Sequence, residues 1–199
     1  MSDKIAYLEA MGWYLSVESR ISVNAKNEPI PWFAYPIIHF LEEHLSVKQS
    51  DWSVFEFGCG TSTLWWALRV GKIISVEHDV LWIDKIKPYF ISAENCQVMH
   101  KELVRGGDYC RTCAETGEEF DIIVIDGRDR VNCLLQSLSC LKDRGVVIFD
   151  NTERPEYSEA YEHLKSKGYK KLNFVGMAPM NAHASITSVF YRDDNIFDI

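Results

Sequence analysis

The sequence predicts an α/β protein with a mostly parallel sheet, and three observations support this fold class. Strand-like apolar runs alternate with helix-like amphipathic stretches, which is the pattern of strands joined by crossover helices. Residues 122–125 are continuously apolar, as expected of a parallel strand that is covered on both faces. Near the end of the chain, two strand-like runs are separated by a short loop, which favours an antiparallel end to the sheet.

The individual elements follow from apolar periodicity and from the glycines and prolines that interrupt it. One domain is predicted over residues 1–199, with a helical lead-in or lid at 1–50 and the α/β core at 51–192. Predicted strands occupy residues 53–57, 72–77, 95–99, 120–126, 145–149, 171–176 and 186–192. Predicted helices occupy residues 7–11, 37–45, 64–70, 80–90, 131–141 and 155–167.

Composition excludes several function classes. The chain has 199 residues, with 21 basic and 29 acidic side chains and a formal net charge of −8. This balance does not favour binding to nucleic acid or to an anionic membrane. No apolar run approaches the roughly 20 residues that span a bilayer. The first residues do not have the form of a signal peptide, so a cytoplasmic location is expected.

The six cysteines do not have the spacing of a disulfide framework. Cys110 and Cys113 form a single CxxC pair. A zinc or redox site and a set of incidental buried thiols are both compatible with this pair.

A glycine turn follows the first core strand and opens the next helix. Gly58 and Gly60 allow backbone angles that other residues avoid, and they let a ligand approach the main chain. The hydroxyl residues 61–63, with Ser62 at their centre, are suited to cap that helix. Free N–H groups at such a helix start can bind an anionic or polar ligand.

Glu77 ends the second core strand, about 20 residues after the glycine turn. At this spacing an acidic side chain meets the ribose hydroxyls in dinucleotide-binding folds. An adenosine-bearing ligand is therefore expected, although a solvent-exposed glutamate at the strand end is the alternative. The dinucleotide fingerprint also requires a third glycine, where this chain has Thr63, so NAD is disfavoured but remains open.

The pattern Glu56-x-Gly58-x-Gly60 resembles the first motif of class I S-adenosylmethionine (SAM)-dependent methyltransferases. The resemblance covers residues 53–192. It implies a Rossmann-like three-layer α/β/α sandwich, with a seven-stranded, mostly parallel sheet and an antiparallel C-terminal strand. It also implies SAM as the cofactor and roles for four residues. Glu56 would order the turn and help to hold the methionine part, and Glu77 would bind the ribose. His78 and Asp108 would lie at the adenine, with a simple turn-forming role equally open for Asp108.

Oxygen side chains follow two later strands of the predicted sheet. Asp126, Asp150 and Asn151 lie at neighbouring strand ends, and such ligands suit Mg²⁺. This set is similar to the metal site of catechol and caffeoyl-CoA O-methyltransferases, where the metal activates the acceptor hydroxyl. The alternative for residues 150–151 is a cap and turn. The lysine base of those enzymes is missing here, so either Asp129 or a distant histidine such as His183 takes the proton, or the chemistry is different. Asp126 is the third candidate catalytic residue, through its place among the metal ligands.

Two further segments have open interpretations. Arg128 and Arg130 could hold an anionic acceptor through paired N–H donors, or they could form local ion pairs at a helix start. The aromatic residues Trp32, Phe33 and Tyr35 could cover the ligand or pack under the sheet. Together with the strand-end motifs, these segments look like small FkbM-like bacterial methyltransferases.

The leading hypothesis is methyl transfer from SAM to an oxygen nucleophile, less readily nitrogen, on a small molecule or sugar. Mg²⁺ would assist if the predicted metal ligands are correct. An NAD-type oxidoreductase and a non-catalytic nucleotide-binding protein are the alternatives. The acceptor and the oligomeric state are not predicted by the sequence.

Overall fold

The computed structural model describes residues 2–90 and 93–199, which form a seven-stranded sheet between helices. In sequence order the strands are β1 (Gln49–Phe57), β2 (Val70–Glu77), β3 (Cys96–His100), β4 (Phe120–Ile125), β5 (Leu141–Asp150), β6 (Lys170–Met177) and β7 (Ala184–Tyr191). In space their order is β3-β2-β1-β4-β5-β7-β6. The first five strands are parallel, and β7 runs antiparallel to both β5 and β6. The predicted fold class is confirmed.

Helices cover both faces of the sheet. They are α1 (Ser2–Ala10), α2 (Trp13–Ser19), α3 (Tyr35–His44), α4 (Thr61–Ala67), α5 (Val80–Ile86), α6 (Asp108–Glu115), α7 (Arg130–Ser137) and α8 (Ser158–Ser166). Successive residues of β1 point into two different cores, because side chains alternate along a strand. Val54 packs with α3 and α4, while Phe55 packs with α6, α7 and α8.

Several predicted elements were wrong, including the helix predicted at 64–70, which ends at Ala67, with Val70 already in β2, and the helix predicted at 80–90, whose α-helical part ends at Ile86. Helix α6 was not predicted, because its apolar side is made largely of cysteine and tyrosine and it follows a Gly-Gly turn. The helix predicted at 131–141 ends at Ser137, and Leu141 already belongs to β5. The helix predicted at 155–167 begins with a short 3-10 turn, and its α-helical part starts at Ser158.

All six cysteines are free thiols, and five of them are buried. In the described parts of the chain, no group of three or more His, Cys, Asp or Glu side chains is arranged to hold a metal ion. No helix in residues 2–90 or 93–199 is long and apolar enough to cross a bilayer.

The parallel strands bring their carboxyl ends to one edge of the sheet, where the loops after β1 and β4 touch. Gly58 has φ +93°, and a Cβ atom on Gly127 would lie 2.9 Å from the Gly58 nitrogen. The two turns therefore pack backbone against backbone, and both positions require glycine. This contact lies next to the crevice where open α/β sheets bind ligands.

Candidate functional site

A cavity of about 760 Å³ opens at the carboxyl edge of the sheet, within the size range of small-molecule sites. One half is formed by the turn after β1, the end of β2 and the start of α5. The other half is formed by the loops that follow β4 and β5 and by the loop between β6 and β7. Residues 20–22 and Trp32, from the N-terminal segment, complete the wall.

Glu56 lies beneath the glycine turn and holds it in shape. Its carboxylate accepts hydrogen bonds from Thr63 Oγ1 at 2.5 Å and from Ser75 Oγ at 2.8 Å. Thr63 Oγ1 in turn accepts the Gly60 N–H at 3.1 Å. Thr63, which replaces the third glycine of the dinucleotide fingerprint, is thus the link between Glu56 and the turn. Glu56 does not line the cavity, so its geometry fits turn ordering rather than ligand contact.

Burial raises the pKa of Glu56 to about 7, against the hydrogen bonds from Ser62, Thr63 and Ser75 that favour its ionised form. The side chain is 1% exposed and has no basic partner among the causes of this shift. Its charged form is therefore costly at neutral pH.

Glu77 faces the glycine turn across the cavity wall. Its Oε2 accepts the Cys59 N–H at 3.1 Å, and its Oε1 accepts the N–H groups of His78 and Asp79 at 2.7 and 3.0 Å. Gly58, Cys59, Gly60 and Glu77 line the same cavity. The turn and the strand-end carboxylate are therefore brought together as the sequence predicts.

Two rings lie beside Glu77. His78 lines the cavity, and its Nδ1 is 2.6 Å from Glu77 Oε1, at an angle that does not make a hydrogen bond. Trp82, on α5, also lines the cavity and donates from Nε1 to the Cys59 carbonyl at 2.6 Å. The sequence analysis did not identify Trp82 as a cavity residue; the available signal was an aromatic residue in the first turn of the helix after the Glu77 strand.

Two predicted cofactor contacts lie outside the cavity. Asp108 is exposed at the start of α6 and pairs with Arg111 at 2.7 Å. Ser62 is buried in the first turn of α4. Neither residue lines the cavity, so ligand contact by Asp108 or Ser62 stays a prediction without geometric support.

The guanidinium of Arg130 lies between the carboxylates of Asp126 and Asp150. Its Nη2 is 3.0 Å from Asp126 Oδ1, and its Nη1 is 3.7 Å from Asp150 Oδ2. The same group donates to the backbone carbonyls of Asp126, Gly127 and Asp150. Arg130 is 8% exposed, so its charge is held inside the protein.

This arrangement does not fit the predicted Mg²⁺ site. Asp126, Asp150 and Asn151 do come together at one edge of the cavity. However, both carboxylates already share a cation, the guanidinium of Arg130, which is also fixed by backbone carbonyls. Mg²⁺ requires near-octahedral oxygen ligands and retains several waters, and Arg130 takes the room for both.

Burial raises the pKa of Asp126 well above its ordinary value, and repulsion from Asp150 adds to the rise, while Arg130 opposes it. Burial also raises the pKa of Asp150, against Arg130 and the hydrogen bond from Thr187. Because Asp126 keeps 21% of its side-chain surface open to the cavity, it is the member of the pair that can exchange a proton with a ligand.

The other two proton-acceptor candidates differ in position. Asp129 does not line the cavity, and its oxygens accept from the Gly106 N–H at 2.7 Å and from Asn132 at 2.8 Å. Burial acts to raise the pKa of Asp129, but hydrogen bonds from Cys110, Gly106 and Asn132 outweigh it and lower the pKa below its ordinary value. His183 is exposed and lines the cavity.

The N-terminal aromatic residues divide between the cavity and the core. Trp32 is 47% exposed and lines the cavity, whereas Phe33 and Tyr35 are buried in the core under α3. Arg20, Ile21 and Ser22 also line the cavity, and sequence reasoning did not find them, because nothing in their local pattern marks a ligand site.

Comparison with known proteins gives the context of this geometry. No protein-family model and no curated protein sequence match the chain. Among solved structures, an rRNA methylase from Streptococcus thermophilus superposes with a TM-score of 0.62 at 12% identity, covering 79% of this chain and 96% of that chain. Precorrin 8w decarboxylase from Methanobacterium thermoautotrophicum gives 0.59 at 17% identity, covering 87% and 97%. A Streptococcus mutans protein in complex with SAH gives 0.58 at 9% identity, covering 78% and 97%.

The chain has the class I methyltransferase fold. At these identities the likeness establishes the architecture and no substrate. The FkbM-like and catechol-type resemblances therefore stay predictions within the class I methyltransferase fold.

Replacing Glu56 by Gln should reduce the pH dependence of stability. The pKa of Glu56 rises from 4.5 to about 7 on folding, so its stabilising contribution is complete below pH 4.5 and is lost as the pH rises through 7. Between pH 5 and pH 8 the wild type should lose on the order of 3 kcal/mol more than Glu56→Gln in urea unfolding. Glu159→Gln, at an exposed position, is the control and should follow the wild type. Equal slopes for wild type and Glu56→Gln would contradict the assignment.

Replacing Arg130 by Ala should destabilise the protein by about 3–5 kcal/mol, because two buried carboxylates lose their shared cation. Added MgCl₂ should then restore part of the melting temperature of Arg130→Ala and leave that of the wild type unchanged. Arg130→Lys, which cannot bridge both carboxylates, should show the same trend more weakly. Arg105→Ala, at an exposed position outside the cavity, is the control. Stabilisation of the wild type by Mg²⁺ to the same extent would show that a metal site exists beside Arg130.

Proposed function

We propose that the protein is a SAM-dependent methyltransferase that methylates an oxygen nucleophile on a small molecule. The observation that carries this proposal is the position of Glu77, whose carboxylate accepts the Cys59 N–H of the Gly58–Gly60 turn and lines the same cavity in a class I methyltransferase fold. The SAH bound in the Streptococcus mutans neighbour supports the same choice of cofactor.

The first half of the cavity fits an adenosine-bearing ligand. Glu77 accepts three backbone N–H groups, which leaves about one of its roughly four lone-pair positions for a ribose hydroxyl. His78 and Trp82 supply ring surface next to that carboxylate for a purine. SAM, when bound, supplies a methyl group that its sulfonium makes reactive.

In the second half of the cavity, Asp126 is the proton acceptor for the acceptor hydroxyl. Its raised pKa gives it proton affinity, and Arg130 fixes its orientation. His183, at the opening, is the second group that can take a proton there. Because Arg130 occupies the place of the predicted metal, the proposed reaction assigns no step to Mg²⁺.

The sheet order argues against the NAD-type alternative. Dinucleotide-binding folds of the doubly wound type continue with a parallel sixth strand beside the fifth, whereas β7 is inserted here in the reverse direction. Thr63, committed to Glu56 and Gly60, also leaves no third glycine. Only a measurement of methyl-transfer turnover distinguishes the proposed enzyme from a non-catalytic nucleotide-binding protein.

Calorimetry should detect binding of SAM and SAH but not of NAD. Glu77→Gln should weaken SAH binding by at least about tenfold, because a charged acceptor for the ribose is lost. Asp108→Asn removes a carboxylate from the surface outside the cavity and should leave SAH binding unchanged. Binding of NAD without SAH would refute the proposal, and equal losses in both variants would refute the role of Glu77.

Asp126→Asn should lower kcat for transfer of labelled methyl groups by about a hundredfold, because the amide cannot accept the proton. The affinity for SAH should be unchanged, since Asp126 lies in the other half of the cavity. His183→Gln should cost less than about tenfold if it only assists. The reverse order of the two losses would assign the proton to His183.

A further inference from the structure

Every acidic side chain that lines the cavity accepts hydrogen bonds from other groups of the chain. Glu77 accepts three backbone N–H groups, and Asp126 and Asp150 share Arg130. Asp79 caps α5 and accepts from the N–H groups of residues 81 and 82. Glu153 accepts the Ile186 N–H at 2.8 Å. Each of these carboxylates therefore has at least one hydrogen-bond donor within the chain.

Three of the four arginines that line the cavity lack close partners of this kind in the described part of the chain. Within residues 2–90 and 93–199, the side chains of Arg20 and Arg128 make no ion pair and no hydrogen bond. The guanidinium of Arg154 is 3.9 Å from the Glu153 carboxylate and 3.5 Å from Tyr157 Oη, and both contacts are long. By comparison, Arg144 makes two ion pairs of 2.7 and 2.8 Å on another surface.

These three arginines come from separate parts of the chain and converge on one cavity. Arg128 follows β4 two residues after Asp126, Arg154 follows β5, and Arg20 ends α2. Helix α2 is tied to the loop between β6 and β7 by Trp13 Nε1, which donates to the Asn181 carbonyl at 3.0 Å. In a chain of net charge −8, these three arginines lack a close ion-pair partner among the described residues, although five carboxylates line the same cavity.

We propose that the methyl acceptor is a small anion, bearing a carboxylate or a phosphate, and that Arg20, Arg128 and Arg154 bind its charged group. This inference rests on the proposed function, since it names the substrate class of the same site. Guanidinium groups match both anions because their paired N–H donors fit two oxygens at once. Arg128, two residues from Asp126, would hold the anionic end of the acceptor while Asp126 takes the proton from its hydroxyl.

A small molecule fits these observations better than a nucleic acid. The three arginines are exposed, but all of them line one concave cavity, and Trp32 forms part of the same wall. A polyanion would also be repelled more strongly than a single carboxylate or phosphate group by a protein of net charge −8.

The first test is an NMR titration of the SAH-saturated protein with inorganic phosphate and with acetate. Arg128→Gln and Arg154→Gln should each weaken binding of the preferred anion by about ten- to a hundredfold, the loss expected for a charged hydrogen bond. Arg105→Gln makes the same change of charge at an exposed position outside the cavity and should bind as the wild type does. Equal weakening in Arg105→Gln, or no anion binding at all, overturns the inference. SAH affinity is measured for every variant, and a wild type that fails to bind SAH refutes the proposed function instead.

The second test compares methyl transfer to matched acceptors. Glucose is paired with glucose 6-phosphate, and phenol with 4-hydroxybenzoate, so that each pair differs by one anionic group. The anionic member of at least one pair should be methylated faster, and Arg128→Gln should remove that preference by raising KM more than it lowers kcat. The pair that responds distinguishes phosphate from carboxylate. Equal rates within both pairs, or faster methylation of a short RNA strand than of every small acceptor, overturn the inference.

Discussion

The guanidinium of Arg130, between Asp126 and Asp150, is the interaction on which the second half of the cavity depends. It joins the ends of β4 and β5 through two carboxylates and three backbone carbonyls. Removing water from three charges at once is costly, and only a well-aligned, fully hydrogen-bonded arrangement can offset that cost. The alignment is provided by the parallel pairing of the two strands, which places both aspartates at the same edge. The closeness of the two carboxylates, and hence their shared ion pair with Arg130, is therefore a consequence of the strand pairing.

The first half of the cavity depends on a different kind of contact. Glu56, Thr63 and Gly60 form a chain of hydrogen bonds under the glycine turn, and Glu77 holds the turn from the cavity side. On its buried side the turn is held by Glu56, whose charged form is disfavoured. On the cavity side it is held by Glu77, which accepts hydrogen bonds from backbone N–H groups. Glu56 and Glu77 lie 21 residues apart in the sequence, and both belong to motifs that the sequence analysis assigned to the cofactor. Glu77 lines the cavity, whereas Glu56 does not.

The sequence was sufficient for the fold and for one wall of the cavity. Continuous apolar strands, the glycine turn and Glu77 at its characteristic spacing are local signals, and they predicted the sheet and one wall of the cavity. The role of Arg130 is not local. It depends on the register of β4 against β5 and on the direction of a side chain from the first turn of α7, neither of which periodicity reveals. Asp108 shows the same limit, since a Gly-Gly-Asp sequence does not say whether the carboxylate turns towards the ligand or towards Arg111. Helix α6 was missed because thiols and a tyrosine supply its buried side.

The backbone contact between Gly58 and Gly127 has a consequence for how molecules reach and leave the cavity. Since the loops after β1 and β4 touch without intervening side chains, the two halves of the floor behave as one solid piece. They cannot move apart without breaking the sheet beneath them. Any molecule that enters or leaves the cavity would then pass the remaining part of its wall, to which residues 20–22 and Trp32 contribute.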